Sequence, residues 1–147
     1  MSTSNPAKIV SHSIVVPAPA QEIFNLLADP RRHSEIDGSG SVKAAKINAP
    51  ERLSLGAKFG MEMKIVLPYK MTNEVVEFEE GKQIGWRHFG GHVWRYILEP
   101  VEGGTKVTEQ FDWNTNKSPL MLKVMNAVEN NSKSIQKTLD NLVKRFS

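Results

Sequence analysis

The sequence predicts an α+β domain: a curved antiparallel sheet of seven strands, two short helices near its start, and one long C-terminal helix laid across it to enclose a cavity. Three observations predict it. Apolar and polar residues alternate over much of residues 57–113, the period of strands buried on one face. Turn chemistry punctuates that alternation and closes it at Glu102-Gly103-Gly104-Thr105. After Ser118-Pro119 the period turns helical and stays so to about Arg145.

Lys8 to Val16 reads as the opening strand, with Val10, His12, Ile14 and Val16 on one face. Pro17 and Pro19 stop it, and Pro19 suits the first turn of a helix whose apolar stripe is Ile23, Phe24, Leu26 and Leu27. That helix ends at Asp29-Pro30, and Arg31 to Ile36 forms a second short one. Asp37-Gly38-Ser39-Gly40 turns the chain into a strand over Ser41 to Asn48. In the next strand Ala57, Phe59, Met61, Met63 and Ile65 alternate with polar residues.

Met71 to Glu79 and Gln83 to Phe89 pair around Glu80-Gly81-Lys82, which aligns Val76 and Phe78 with Ile84 and Trp86 on the inner face. By the same parity Glu74 and His88 point inward. The last pair, His92 to Glu99 and Thr105 to Trp113, sets Trp94, Tyr96 and Leu98 opposite Val107, Glu109, Phe111 and Trp113. On the terminal helix Met121, Val124, Met125, Val128, Ser132, Ile135, Leu139, Leu142 and Phe146 share a stripe, with the lysines mostly off it.

At 147 residues the chain is one domain, residues 1–147, with the first six as a frayed lead-in. The net charge of +3 comes from basic residues interleaved with acidic ones, which argues against a nucleic-acid surface. The absence of cysteine excludes disulfides, thiolate metal sites and cysteine nucleophiles. No apolar run approaches the roughly 20 residues of a membrane span, and Met1 to Pro6 has no signal core. The expectation is a cytoplasmic protein, monomer or homodimer, with no membrane insertion.

Ile14 to Pro30, Ile36-Asp37-Gly38-Ser39-Gly40, and Leu98-Glu99-Pro100 followed by Gly103-Gly104-Thr105 resemble the helix-grip superfamily of START lipid-transfer domains, pollen-allergen-like binders and polyketide cyclases. They look most like bacterial polyketide cyclase/dehydrase-like proteins. The resemblance covers nearly the whole chain and implies the fold with its cavity. Its motifs mark turns and core contacts, so it carries over no catalytic residue. Where many relatives place a tryptophan after the Asp-Pro turn, this chain reads Arg31-Arg32-His33-Ser34-Glu35-Ile36.

The candidate site is therefore built from the residues. Glu74, His88, His92 and Glu109 fall on the expected inner face, with His12 and Tyr96 beside them. A carboxylate buried among apolar groups needs a partner or a proton, so this set could orient a ligand or move protons on a bound carbonyl compound. Near strand ends or bulges the same residues would simply meet water. Glu109 stands out because the Gly103-Gly104-Thr105 turn pins its register.

Phe59, Met61, Met63, Val76, Trp86, Trp94, Phe111, Trp113, Met121, Met125 and Val128 serve as core and as pocket wall. His88 and His92 lack the spacing that marks metal sites, so no metal and no cofactor are expected. Arg31-Arg32-His33 reads as a solvated turn rather than a grip for an anionic headgroup, and neither a phosphate loop nor a serine-nucleophile elbow is present.

Three function classes remain. The leading one is binding of a small hydrophobic or aromatic ligand, lipid or polyketide-like. The second is a cofactor-independent cyclase or dehydratase in which Glu109 or His88 removes a proton while Tyr96 or His92 donates to the developing oxyanion. The third is an interaction module of the chaperone-regulator type, working through the sheet surface.

Overall fold

A computed structural model describes residues 6–36, 52–64, 68–88, 91–124 and 126–147. Strands β1 (Ile9–Val16), β2 (Lys58–Lys64), β3 (Pro68–Glu79), β4 (Gln83–His88), β5 (Val93–Val101) and β6 (Gly104–Asp112) form one antiparallel sheet in the order β1-β6-β5-β4-β3-β2. These are six strands among the described residues; the strand expected over Ser41 to Asn48 lies outside them. Helix α1 (Ala20–Leu27) and a 3-10 helix (Pro30–Glu35) follow β1.

The order follows from chain economy. Consecutive strands β2 to β6 lie only a few residues apart in the chain and pair as neighbours, and β1 then covers the exposed edge of β6. Val16, Val107 and Leu98 from the sheet meet Ile23, Phe24, Leu26 and Leu27 from α1 in one buried cluster. Burying side chains of this size stabilises by about 1.5–3 kcal/mol each.

The long C-terminal helix is interrupted. Asn126 takes a left-handed backbone conformation (φ 54°), dividing the expected single helix into α2 (Pro119–Val124) and α3 (Ala127–Arg145). A left-handed residue cannot propagate a right-handed helix, and asparagine adopts that conformation more readily than most residues. The new helix restarts at once, with the Asn130 N–H donating to the Asn126 carbonyl at 3.1 Å. Helix α3 then lays Ile135, Thr138, Leu139 and Leu142 onto the inner sheet face.

A second departure is a β-bulge in β3. The pairing with β4 shifts between Val75 and Glu77, so that Val75 faces Trp86 and Phe78 still faces Ile84. One extra residue reverses the face of everything before it. Asn73 and Val75 are consequently buried, whereas Glu74, expected inward, is exposed opposite Arg87. Val76, expected on the inner face, occupies the bulge and is only partly buried.

The outer face is held by ions. Arg95 donates two hydrogen bonds to the Glu77 carboxylate, at 2.8 and 2.7 Å, and one to Asp112 at 3.1 Å. The Arg95 hydrogen bonds hold the Glu77 carboxyl below its ordinary range against the opposing effect of burial. Burial would raise Asp112 as well, but donors from Asn114 and Arg95 outweigh it. Gly85 makes room for this cluster, since a Cβ there would stand 3.0 Å from Glu77 Oε1.

Candidate functional site

Cross-strand register arranges the inner face in rows, because paired residues of an antiparallel sheet stand side by side and alternate residues share a face. One row runs Val10, Phe111, Trp94, Trp86 and Val75 across five strands. The Trp94 and Phe111 rings lie 4.8 Å apart, and Trp86 is 5.6 Å from Phe59 of β2. The next row runs His12, Glu109, Tyr96, Ile84 and Phe78. An apolar aromatic strip thus lies beside a strip that begins with three polar side chains.

Glu109 and Tyr96 are each 5% exposed and are register partners. The structure therefore brings together two of the four residues expected to do acid-base work. His12 completes the group from β1, and its Nε2 lies 2.8 Å from Ser132 Oγ on α3 and 3.4 Å from Gln136 Nε2. This contact ties the polar row to the helix that covers it.

Of the other two, His88 sits elsewhere on the face. It pairs with Asn73, and its ring stacks on His92 with centroids 4.3 Å apart and planes 13° off parallel. The pair packs near the end of the aromatic row, with His92 5.0 Å from Phe111. Burial lowers His88 to about 4. Burial, reinforced by the neighbouring His88, lowers His92 to about 3. Both imidazoles are neutral at pH 7 as a result. Asn116 Nδ2 lies 2.9 Å from His92 Nδ1, a geometry in which the amide donates to the unprotonated nitrogen of the ring.

Hydrogen bonds to the backbone hold His88, Gly91 and His92 in place. The His88 N–H donates to the His92 carbonyl at 2.9 Å, and Thr115 Oγ1 donates to the Gly91 carbonyl at 2.5 Å. Gly91 has φ +98°, and a Cβ there would fall 2.3 Å from the Thr115 carbonyl oxygen. The close approach of the two segments requires glycine on both counts.

At the same end of the sheet, the break between α2 and α3 leaves an open cleft of about 470 Å³ lined by Val10, Leu122, Lys123, Asn126, Val128, Glu129 and Ser132. Val10 is the first residue of the aromatic row, and Ser132 carries the contact to His12. The cleft therefore abuts both rows at their β1 end. It is an opening at the helix joint, where the sequence led us to expect a space between sheet and helix.

The remaining expected residues divide as follows. Phe59, Trp86, Trp94 and Phe111 pack on the inner face, and Val128 lines the cleft. Trp113 is buried just beyond β6, with Lys8 Nζ 5.5 Å above its ring. Met121 is 54% exposed, a correction to its place on the buried stripe: the break at Asn126 takes α2 out of phase with α3, and Leu122 packs inward in its stead. In β2, Met61 and Met63 alternate with Phe59 in register, but their side chains lie outside the described set, as does Met125. Among the described residues no cluster of three His, Cys, Asp or Glu side chains could hold a metal.

Sequence reasoning missed Asn73, hidden by the bulge, and Leu122, Asn126 and Asn116, whose places depend on the helix break and the preceding loop. It also read the Arg31-Arg32-His33 turn as solvated, whereas His33 is buried, stacks 5.0 Å from Trp86 and has Nε2 2.8 Å from the Leu27 carbonyl. The spacing to Ile36, three residues on and buried on the same side, is the signal that could have found it.

A family model described as polyketide cyclase / dehydrase and lipid transport matches residues 8–147. Over 107 residues the chain is 44% identical to the uncharacterized protein Rv0088 of Mycobacterium tuberculosis, a match covering 71% of this chain and 47% of that protein. The chain thus spans about half the length of the curated relatives it matches. Among solved structures, protein NE0264 from Nitrosomonas europaea superposes with a TM-score of 0.70 at 14% identity, covering 96% of this chain and 97% of that one. The polyketide-cyclase-like protein Cgl2372 from Corynebacterium glutamicum superposes with a TM-score of 0.62 at 21% identity, covering 94% and 88%. At these identities the superpositions show a shared fold.

Proposed function

The chain belongs to the polyketide cyclase/dehydrase and lipid transport family, and from that premise we propose that it binds a small hydrophobic or aromatic ligand, lipid or polyketide-like, between the sheet and the C-terminal helices. The observation that carries this reading is the cleft at the helix joint, which abuts the apolar row of Val10, Phe111 and Trp94 on one side and the polar row of His12 and Glu109 on the other. A ligand with a flat apolar body and one polar group matches that pairing: burial of the body supplies affinity, and the polar residues set its orientation. Native and denaturing mass spectra of freshly purified protein test it. A discrete extra mass in the native spectrum, released on denaturation, is the expected result; bare protein that also takes up no added fatty acid or aromatic polyketide would overturn the reading.

A second reading, cofactor-independent cyclisation or dehydration, is favoured by the adjacency of Glu109 and Tyr96 on the buried face. A carboxylate next to a phenol can take a proton from carbon beside a carbonyl while the phenol donates to the oxygen that gains charge. Glu109→Gln keeps the shape and removes the base. If Glu109 is the base, this variant loses turnover by about a hundredfold or more with little change in ligand affinity; equal turnover in both proteins removes Glu109 from the chemistry.

A further inference from the structure

Helix α2 presents the wrong residues to water. Leu120 is 73% exposed and Met121 54%, on consecutive positions of a short helix whose next residue, Leu122, packs into the core and lines the cleft. Two exposed lysines, Lys117 and Lys123, flank this apolar pair. Between Asp112 and Glu129 the sequence contains no acidic residue at all. The left-handed Asn126 separates α2 from α3, so α2 does not continue the line of the helix that grips the sheet.

We propose that α2 is a docking surface for an anionic lipid bilayer, lying on the membrane with Leu120 and Met121 in the interface and Lys117 and Lys123 against the headgroups. A bilayer of this charge fits both features together: the apolar pair gains from leaving water, and the lysines meet a surface of opposite sign. The segment is far too short to span, in keeping with the lack of any described helix long and apolar enough to cross a membrane. Docked this way, Leu120 and Met121 turn toward the bilayer and Leu122 toward the cleft, while Lys123 stands on the cleft rim between them, so the cleft mouth at the α2–α3 joint opens beside the membrane surface. An apolar ligand could then pass between bilayer and cleft with little exposure to water. This deepens the ligand-binding reading by naming where the ligand is exchanged, and it rests on that reading for its purpose, though the contact itself is tested separately.

The test is co-sedimentation of the full chain with vesicles of phosphatidylcholine alone and of phosphatidylcholine mixed with phosphatidylglycerol, using protein whose native mass spectrum is already recorded. The wild type is expected to sediment with the anionic vesicles and to be released by salt. L120S/M121S should weaken that partition about tenfold or more, and K117E/K123E should weaken it by about fivefold or more for each charge removed. Both variants alter exposed side chains, and the second keeps the proposal falsifiable if the first fails to fold. Sedimentation that is absent, that is equal on neutral and anionic vesicles, or that is unchanged in K117E/K123E overturns the proposal. So does a dimer in analytical ultracentrifugation that L120S/M121S dissociates while vesicle binding stays the same, which would assign the face to a second copy of the chain. A ligand seen by mass with no vesicle binding leaves the binding reading standing and removes only the membrane.

Discussion

At the scale of single residues, the stacked histidines make the sharpest prediction. Burial holds His88 at about 4 and His92 at about 3, against an ordinary value of 6.5. In the unfolded chain both take up protons as pH falls through 6.5, while in the folded protein they stay neutral until about pH 4 or below. The unfolded state binds more protons across that window, so stability falls as pH is lowered. The loss is on the order of 2 kcal/mol for the pair once partial exposure is discounted. Glu77 and Asp112, held below 4.5 and 3.8, add their own losses at more acid pH. Melting temperature followed from pH 7 downward should drop within the histidine window for the wild type and stay nearly flat there for H88Q/H92Q. A flat wild-type profile in that window would refute the burial of the pair. Legibility at this scale was uneven for a physical reason: alternation placed Glu109, Tyr96 and Phe111 correctly because β5 and β6 pair without interruption, and misplaced Glu74 because one bulge intervened.

At the scale of elements, the joint between α2 and α3 decides whether there is a cleft. Asn126 adopts φ 54°, a conformation that costs β-branched residues the most. Replacing it with glycine should leave stability within about 0.5 kcal/mol, since glycine enters that region freely. Replacing it with valine should cost about 1–2 kcal/mol, read as a lower urea midpoint. Equal midpoints for the two variants would mean that the joint is not held in the left-handed form. The helical period ran unbroken through this point in the sequence, because asparagine is compatible both with a helix and with its interruption. Packing settles the matter: Leu122 and Val128 both reach the core cluster from their separate segments.

At the scale of the whole molecule, the sheet is both scaffold and floor. Its outer face is fastened by the Arg95 cluster, and its inner face is divided into an apolar row and a polar row that meet α3 and the cleft. If the ligand occupies the cleft, filling it should displace the ligand without harming the fold. Val128→Trp places a large ring where a partly buried valine lines the opening, and should reduce the ligand-bound fraction in native mass spectra about tenfold or more while the melting temperature holds. Undiminished ligand in that variant would move the site away from the cleft and deeper toward the polar row.

The sequence by itself determined the fold class, the hairpins β3–β4 and β5–β6, α1 and its stripe, and the inward placement of Glu109 and Tyr96, because each follows from local periodicity and turn chemistry acting over a few residues. Only the tertiary structure decided the bulge at Val76, the break at Asn126, the burial of His33 against Trp86 and the position of the cleft. Those four depend on how distant segments fit together. A bulge or a left-handed residue adds one step to the chain at small local cost, and the packing partner that makes it favourable lies tens of residues away.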